Sequence, residues 1–245
     1  VFVDDTGDLV AAAHRIVWAK FLNAGQTCVA PDYLLCTPDA ATRLVPLLGQ
    51  AIRDLYGARP ETNPDYGRIV SDPHFERLHA MLDGGVVSHG GRADASTRYL
   101  APTVLTELDA DAPALAEEIF GPILPVVVVA DASEAITRIR AGDKPLALSV
   151  FSADAAVRRR FLRETSSGAV GFDVAVAHLS VPGLPFGGVG ESGSGAYHGR
   201  RGFEAFGHEK SVLAKPLAPD TLRLIYPPFT EAKRRFARGL LRTLG

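Results

Sequence analysis

The sequence predicts an α/β protein with an open, mostly parallel, twisted sheet and flanking helices. Three observations lead there. Ile123-Leu124-Pro125-Val126-Val127-Val128-Val129 is an almost unbroken β-branched run, the composition of a strand covered on both faces. After it, apolar strands at 146–151 and 169–172 alternate with helical stretches at 133–141 and 154–165, the order of right-handed βαβ units. The 245 residues, 47% hydrophobic and 22% charged, are ordinary globular composition and enough chain for one large domain.

The elements follow in order. Val1-Phe2-Val3-Asp4-Asp5 is strand-like, and a strand at a terminus needs partners. The chain therefore reads as the C-terminal part of a longer protein. Leu9, Ala12, Ala13, Ile16, Val17 and Leu22 recur at helical spacing, with Trp18 expected in the core. Gly25 ends that helix, and Tyr33-Leu34-Leu35-Cys36 is a short buried strand. Pro38 and Asp39 start a helix to about Tyr56, with Leu44, Leu47, Leu48, Ile52 and Leu55 on its inner face. A Pro-rich loop leads to a helix over about 73–83, then to a strand at 86–88. Residues 89–98 read as an exposed turn region and 99–105 as extended. Ser133 is expected to cap the helix that runs to Ala141, and Arg158, Arg159 and Arg160 to face solvent on the next.

Bulk properties exclude several function classes. A net charge of −2 gives no reason to expect nucleic acid. Two cysteines, Cys28 and Cys36, make neither a disulfide framework nor a zinc pattern, so a reducing, cytoplasmic setting is expected. The seven histidines are scattered, and no metal site is expected. No apolar run reaches the roughly 18 residues of a membrane span.

Three segments carry chemistry. In Asn23-Ala24-Gly25-Gln26-Thr27-Cys28-Val29-Ala30-Pro31 a helix stops at glycine and a thiol closes the turn, where backbone N–H groups converge on a thiolate or an oxyanion. A buried structural cysteine is the other reading of this segment alone. Glu117-Glu118-Ile119-Phe120-Gly121-Pro122 leaves a carboxylate and an aromatic ring where the chain enters the Val-rich strand. That is not the carboxyl end, where open α/β sheets place their ligands. Leu184-Pro185-Phe186 leads into a loop with six glycines between 187 and 199. Such a loop lets backbone pass close to a ligand or to other backbone. It lacks the lysine and strand–helix context of a phosphate cradle.

Taken in this order, the three segments resemble the aldehyde dehydrogenase superfamily. Gly25-Gln26-Thr27-Cys28-Val29-Ala30-Pro31-Asp32-Tyr33, Gly195-Ala196-Tyr197-His198-Gly199 and Tyr226-Pro227-Pro228 are similar to its class 3 branch. The resemblance spans essentially the whole chain and implies oxidation of an aldehyde to a carboxylic acid with NAD or NADP. By that resemblance Cys28 is the catalytic nucleophile, Glu118 bonds the nicotinamide ribose and Phe120 packs beside it. Asn23 and Gly25 support the nucleophile, and Phe186 belongs to the loop near the substrate. The family's general-base Glu, oxyanion Asn and cofactor domain lie upstream of the segment present here. Asp173 stands near a position where relatives carry Asn.

The resemblance also divides the chain into a catalytic α/β domain, 1–200, and an arm, 201–245. The arm is expected to comprise an oligomerisation strand about Ser211–Ala214, which makes a homodimer the expected assembly, and a C-terminal helix. In that helix Phe229, Phe236, Leu240 and Leu244 share one face, and Lys233, Arg234, Arg235, Arg238 and Arg242 mostly lie elsewhere. A surface helix packed on its own domain is the favoured reading, and peripheral membrane contact through 229–244 is the alternative. Two rivals stand beside the enzyme: a truncated pseudoenzyme acting as an assembly partner, and an acyl-transferring relative that uses coenzyme A or an acyl phosphate.

Overall fold

Alternation of apolar residues makes strands and 3.6-residue periodicity makes helices, and the two take turns along the chain. The computed structural model describes residues 1–109 and 111–244. The elements are β1 (Phe2–Val3), α1 (Leu9–Phe21), β2 (Leu34–Cys36), α2 (Pro38–Tyr56), α3 (Asp72–Ala80), β3 (Val86–His89), β4 (Ala93–Asp94), β5 (Tyr99–Leu100), β6 (Thr103–Thr106) and α4 (Pro113–Ala116). β7 (Ile123–Val128), α5 (Ala132–Ala141), β8 (Ala147–Phe151), α6 (Ala155–Glu164), β9 (Ala169–Phe172), α7 (Gly199–Ala205) and α8 (Glu231–Leu244) follow. Seven strands form one sheet in the order β3-β6-β7-β2-β1-β8-β9. Only the β3–β6 pair is antiparallel; the other neighbours run parallel.

Register and period two assign each side chain to a face. Phe2 lies beside Leu35 and Val150. These three pack with Ile136 and Ile139 of α5 and Phe161 of α6. The rings of Phe2 and Phe161 are 4.7 Å apart, and burying a side chain like Phe161 stabilises by about 2–3 kcal/mol. Val3 lies beside Cys36 and Phe151 on the opposite face, in the larger core under α1 and α2. The sheet is thus covered on both sides, as the Val-rich run of β7 requires. Asp8 and Asp154 cap α1 and α6 by accepting N–H bonds from the first turn.

Several expectations need correction. The cap of α5 is Asp131, whose carboxylate accepts from the N–H groups of Glu134 and Ser133; those bonds hold its pKa below the usual range. Ser133 is already inside the helix. Trp18 is 42% exposed, because the buried face of α1 runs through Ile16 and Val17 to Lys20; Leu22, past the end of α1, and Leu55 of α2 are also exposed. Arg158 is half-buried and turns to Asp173 rather than to solvent. The 89–98 segment contains β4 and a short helical turn, Ala95–Thr97, and β4 pairs with β5.

The chain forms two compact units, Val1–Phe206 and Gly207–Gly245. In the second, Ser211–Ala214 forms no strand within the chain, Val212 and Leu213 are exposed, and Asp220 caps a helical turn at Thr221–Leu224. On α8 Phe236 and Leu240 are exposed, as is Phe229 before it; the side chain of Leu244 lies outside the described residues. Among the described residues no helix is long and apolar enough to cross a membrane.

Candidate active site

The end of α1 sets the geometry. Its backbone leaves the helix through Asn23 and Ala24, both with φ of 53°, and Gly25 with φ of 75°. The Asn23 side chain donates to the Gln26 carbonyl, and the Gln26 amide and side chain both donate back to the Asn23 carbonyl. Gln26 also bonds the Arg68 carbonyl and the Val70 N–H, tying the turn to the strap before α3. Asn23 therefore braces the turn; it does not line the cavity in front of Cys28.

The turn must also meet the Glu-Ile-Phe-Gly-Pro segment. A Cβ on Gly25 would fall 2.2 Å from the carbonyl oxygen of Gly121, so only glycine allows the two backbones to touch. Asp32, just past the thiol, accepts the N–H of Ile119 at 3.0 Å. Ile119 is fully buried, which leaves Glu118 and Phe120 on either side of it exposed, Phe120 by 38%.

Cys28, Glu118 and Phe120 consequently line a single cavity of about 560 Å³. The residues before β2 and β7 and those opening β8 form its walls, so it lies at the amino ends of the parallel strands. The Cys28 thiol is free and exposed. Among the described residues nothing accepts the Cys28 backbone N–H. A nucleophile and an unengaged N–H donor therefore stand in one place, the pairing needed to attack a carbonyl and hold the resulting oxyanion. Cys36 is sealed in the sheet and burial pushes its thiol up to about 12. The two cysteines thus differ in access: Cys28 is open to the cavity and Cys36 is buried.

Phe186 does not line this cavity. It packs on the small cluster of Ala19, Val29, Ala175 and Val176, directly behind the residue that follows Cys28. Its backbone pairs with Tyr197 in both directions, and the Tyr197 and His198 rings lie 5.4 and 5.7 Å away. The glycine-rich loop is close backbone packing: a Cβ on Gly187 would sit 2.1 Å from the Gly195 carbonyl oxygen, and one on Gly188 2.0 Å from that of Ser192. Glu191 and Ser192 of this loop reach the cavity wall.

Lys20 escaped the sequence reading. It is 1% exposed, lies on the buried face of α1 and lines the same cavity. Burial lowers its pKa to about 8, while Asp32 and Glu118 act in the opposite direction. A charged residue four positions from Ile16, on an apolar helical stripe, was the signal. His74 and Arg77, on α3, also belong to the neighbourhood and carry no such signal.

Asp173, with φ of 55°, is absent from this cavity. It lines a second one of about 320 Å³, with Arg15 and Arg158, beyond the carboxyl ends of β1, β8 and β9. Arg158 pairs with its carboxylate and Arg15 donates to its carbonyl. Among the described residues no group of three His, Cys, Asp or Glu side chains converges as a metal cage.

Comparison with known proteins agrees with this geometry. The aldehyde dehydrogenase family model matches residues 1–212. A Bos taurus protein named "Aldehyde dehydrogenase, dimeric NADP-preferring" is 48% identical over 227 residues, 92% of this chain and 95% of that sequence. The Rattus norvegicus protein of the same name is 47% identical over 93% of this chain but 50% of its own length. The Mus musculus "Aldehyde dehydrogenase family 3 member A2" is 44% identical over 98% of this chain and 50% of its own. The solved Staphylococcus aureus AldH, in its substrate-bound state, superposes with a TM-score of 0.87 at 39% identity, over 98% of this chain and 52% of that one. The chain thus spans about half the length of the rat and mouse relatives. With the match covering the sheet, the thiol turn and the segment that faces it, the chain belongs to the aldehyde dehydrogenase family.

Proposed function

We propose that this chain carries the nucleophile and the nicotinamide-side contacts of an NAD(P)-dependent aldehyde dehydrogenase. The natural polypeptide that carries this chain would convert medium-chain aliphatic or aromatic aldehydes to carboxylic acids. One observation carries the reading: a free, exposed Cys28 shares its cavity with Glu118 and Phe120. The donor set suits the nicotinamide-ribose end of the cofactor. The Glu118 carboxylate would accept from ribose hydroxyls, and the half-exposed Phe120 ring would offer an apolar face to a planar heterocycle. The names of relatives, NADP-preferring, support the same cofactor class.

The Cys28 sulfur, as thiolate, attacks the aldehyde carbon. The C–S bond forms as the C=O π pair moves to oxygen, and the Cys28 N–H donates to that oxyanion. When bound, NAD(P)+ supplies the acceptor for the hydride that leaves this carbon. Water adds to the carbon of the thioester left on Cys28, and the C–S bond breaks to give the acid and return the thiolate, with one proton passing to solvent.

A burst assay with 4-nitrophenyl acetate tests the nucleophile. One equivalent of nitrophenolate per chain, with acetyl found on Cys28 and absent from Cys36, is expected. A burst that persists in Cys28→Ala, or a thiol inert to acylation, would favour the pseudoenzyme. Thioester released only on adding coenzyme A or phosphate would favour the acyl-transferring relative.

The chain's free thiols suit a reducing cytoplasm. The word dimeric in the names of relatives, with Val212 and Leu213 bare at 82% and 93% exposure, supports a homodimer. We also infer peripheral contact with anionic membrane through 229–244. Phe229 and Phe236 are uncovered, and five basic residues stand against the one acid, Glu231. The full chain should pellet with phosphatidylserine vesicles and a chain ending at residue 228 should not; equal pelleting overturns this.

A further inference from the structure

The segment from Glu117 to Phe120 lies between α4 and β7 and has neither helix nor ladder to satisfy its backbone. Its carbonyls are held instead by donors from elsewhere in the chain. The donors come from one face of α3. Arg77 donates to the carbonyls of Glu118 and Ile119, and His74 Nε2 bonds the carbonyl of Phe120 at 2.8 Å. Arg77 also reaches the Glu117 carboxylate at 3.4 Å. One residue further along the same face, Leu78 fills the space over Gly121, where a Cβ would lie 2.5 Å from its Cδ1. Positions 74, 77 and 78 are spaced i, i+3, i+4, so a single helix face makes every contact.

The result is unusual backbone. Phe120 has φ of 51°, a left-handed conformation rare for a bulky side chain. Such an outlier persists where its surroundings over-determine it. Here the carbonyls of three successive residues are bonded from α3, and the Ile119 N–H is bonded by Asp32 from the thiol turn. The left-handed step at Phe120, with Ile119 anchored in the core, leaves both Glu118 and Phe120 at the cavity.

We propose that Arg77 and His74 are positioning residues: they fix the Glu118–Phe120 backbone so that the carboxylate and ring meet the nicotinamide-ribose end of the cofactor. This rests on the roles assigned above to Glu118 and Phe120. Neither side chain needs to touch cofactor; both act through the peptide carbonyls they hold. Their loss therefore weakens cofactor binding more than the chemistry at Cys28.

The test uses the natural polypeptide that carries this chain, with NAD(P)+ as the varied substrate. Arg77→Met and His74→Phe should each raise KM for NAD(P)+ about tenfold and lower kcat by less than about threefold. Cys28 alkylation by iodoacetamide should stay at the wild-type rate. His74→Gln, which keeps an N–H donor, should recover most of the loss, a rescue that general destabilisation would not give. Folded Arg77→Met and His74→Phe with unchanged KM overturn the proposal. If Arg77→Met fails to fold, the His74→Phe and His74→Gln pair decides: equal KM values overturn it. Glu118→Gln separates the two levels. Should it raise KM while the α3 variants do not, the clamp falls alone. Should the α3 variants raise KM while Glu118→Gln does not, the clamp stands and the role of Glu118 falls.

Discussion

The two cavities of the α/β unit sit at opposite ends of the same parallel strands, and they are built on opposite principles. At the carboxyl ends, the expected place for a ligand in an open α/β sheet, the charged groups engage one another. Arg158 pairs with the Asp173 carboxylate, bonds the Ser152 carbonyl and lies over the Phe172 ring, while Arg15 bonds the Asp173 carbonyl. At the amino ends the reverse holds. The Cys28 turn and the Glu118–Phe120 segment are fixed through their backbones, by Gly25 against Gly121, Asp32 on Ile119, and Arg77 and His74 on the carbonyls. Holding a loop by its peptide groups leaves its side chains available. Location in the sheet matters less than which groups remain unengaged.

The largest effect should come from the amino-end cavity. Cys28→Ala should lower turnover by at least about a thousandfold and, because the thiol is exposed, shift stability by less than about 0.5 kcal/mol. Comparable activity in the variant would erase the distinction between the cavities. Gly25→Ala attacks the backbone contact itself. A left-handed alanine whose Cβ lies 2.2 Å from the Gly121 oxygen should cost about 3–4 kcal/mol in urea unfolding. A loss below about 1 kcal/mol would mean that the two segments part easily.

Lys20 sharpens the comparison through pH. Its folded pKa, lowered to about 8 from 10.5 by burial, means that the folded state disfavours the ammonium. The penalty, up to about 3 kcal/mol, is fully present below pH 8 and disappears as pH rises towards 10.5. Lys20→Met should therefore be more stable than wild type at pH 7, and the gap should close between pH 8 and 10.5. A gap independent of pH would show that Lys20 is solvated. The smallest effect belongs to the carboxyl-end cavity. Asp173→Asn removes one charge of a partly exposed ion pair, worth about 0.5 kcal/mol, and should leave the Cys28 acylation rate within about twofold. A larger change in acylation would join the two cavities functionally.

Much of this was legible beforehand. α1 and α2 follow directly from the 3.6-residue apolar period, since each buries one stripe; β7 and β8 follow from short apolar runs buried on both faces of the sheet, and β9 from a shorter run that stays half-buried. Gly25 and the glycines after Phe186 announced close backbone approach, though not its partners. Trp18 misled because its size suggested burial; helical phase instead puts Lys20 on the inner face. Ser133 misled because two neighbouring residues can each cap a helix, and Asp131 gained the N–H bonds of the first turn. His74 and Arg77 were invisible for a different reason. They bind main-chain carbonyls, which every residue possesses, so no complementary side chain marks the other half of the contact.

By itself the sequence determined the α/β class and the family segments around Cys28, Glu118 and Phe186, because hydrophobic periodicity, helix-stopping glycine and motif chemistry are local properties. The tertiary structure decided that Cys28, Glu118 and Phe120 share one cavity, that Asp173 does not belong to it, and that α3 bonds the carbonyls of residues 118–120. Those outcomes depend on strand order and on a side chain meeting a peptide carbonyl across the 46 residues between His74 and Phe120, contacts that only packing in three dimensions creates.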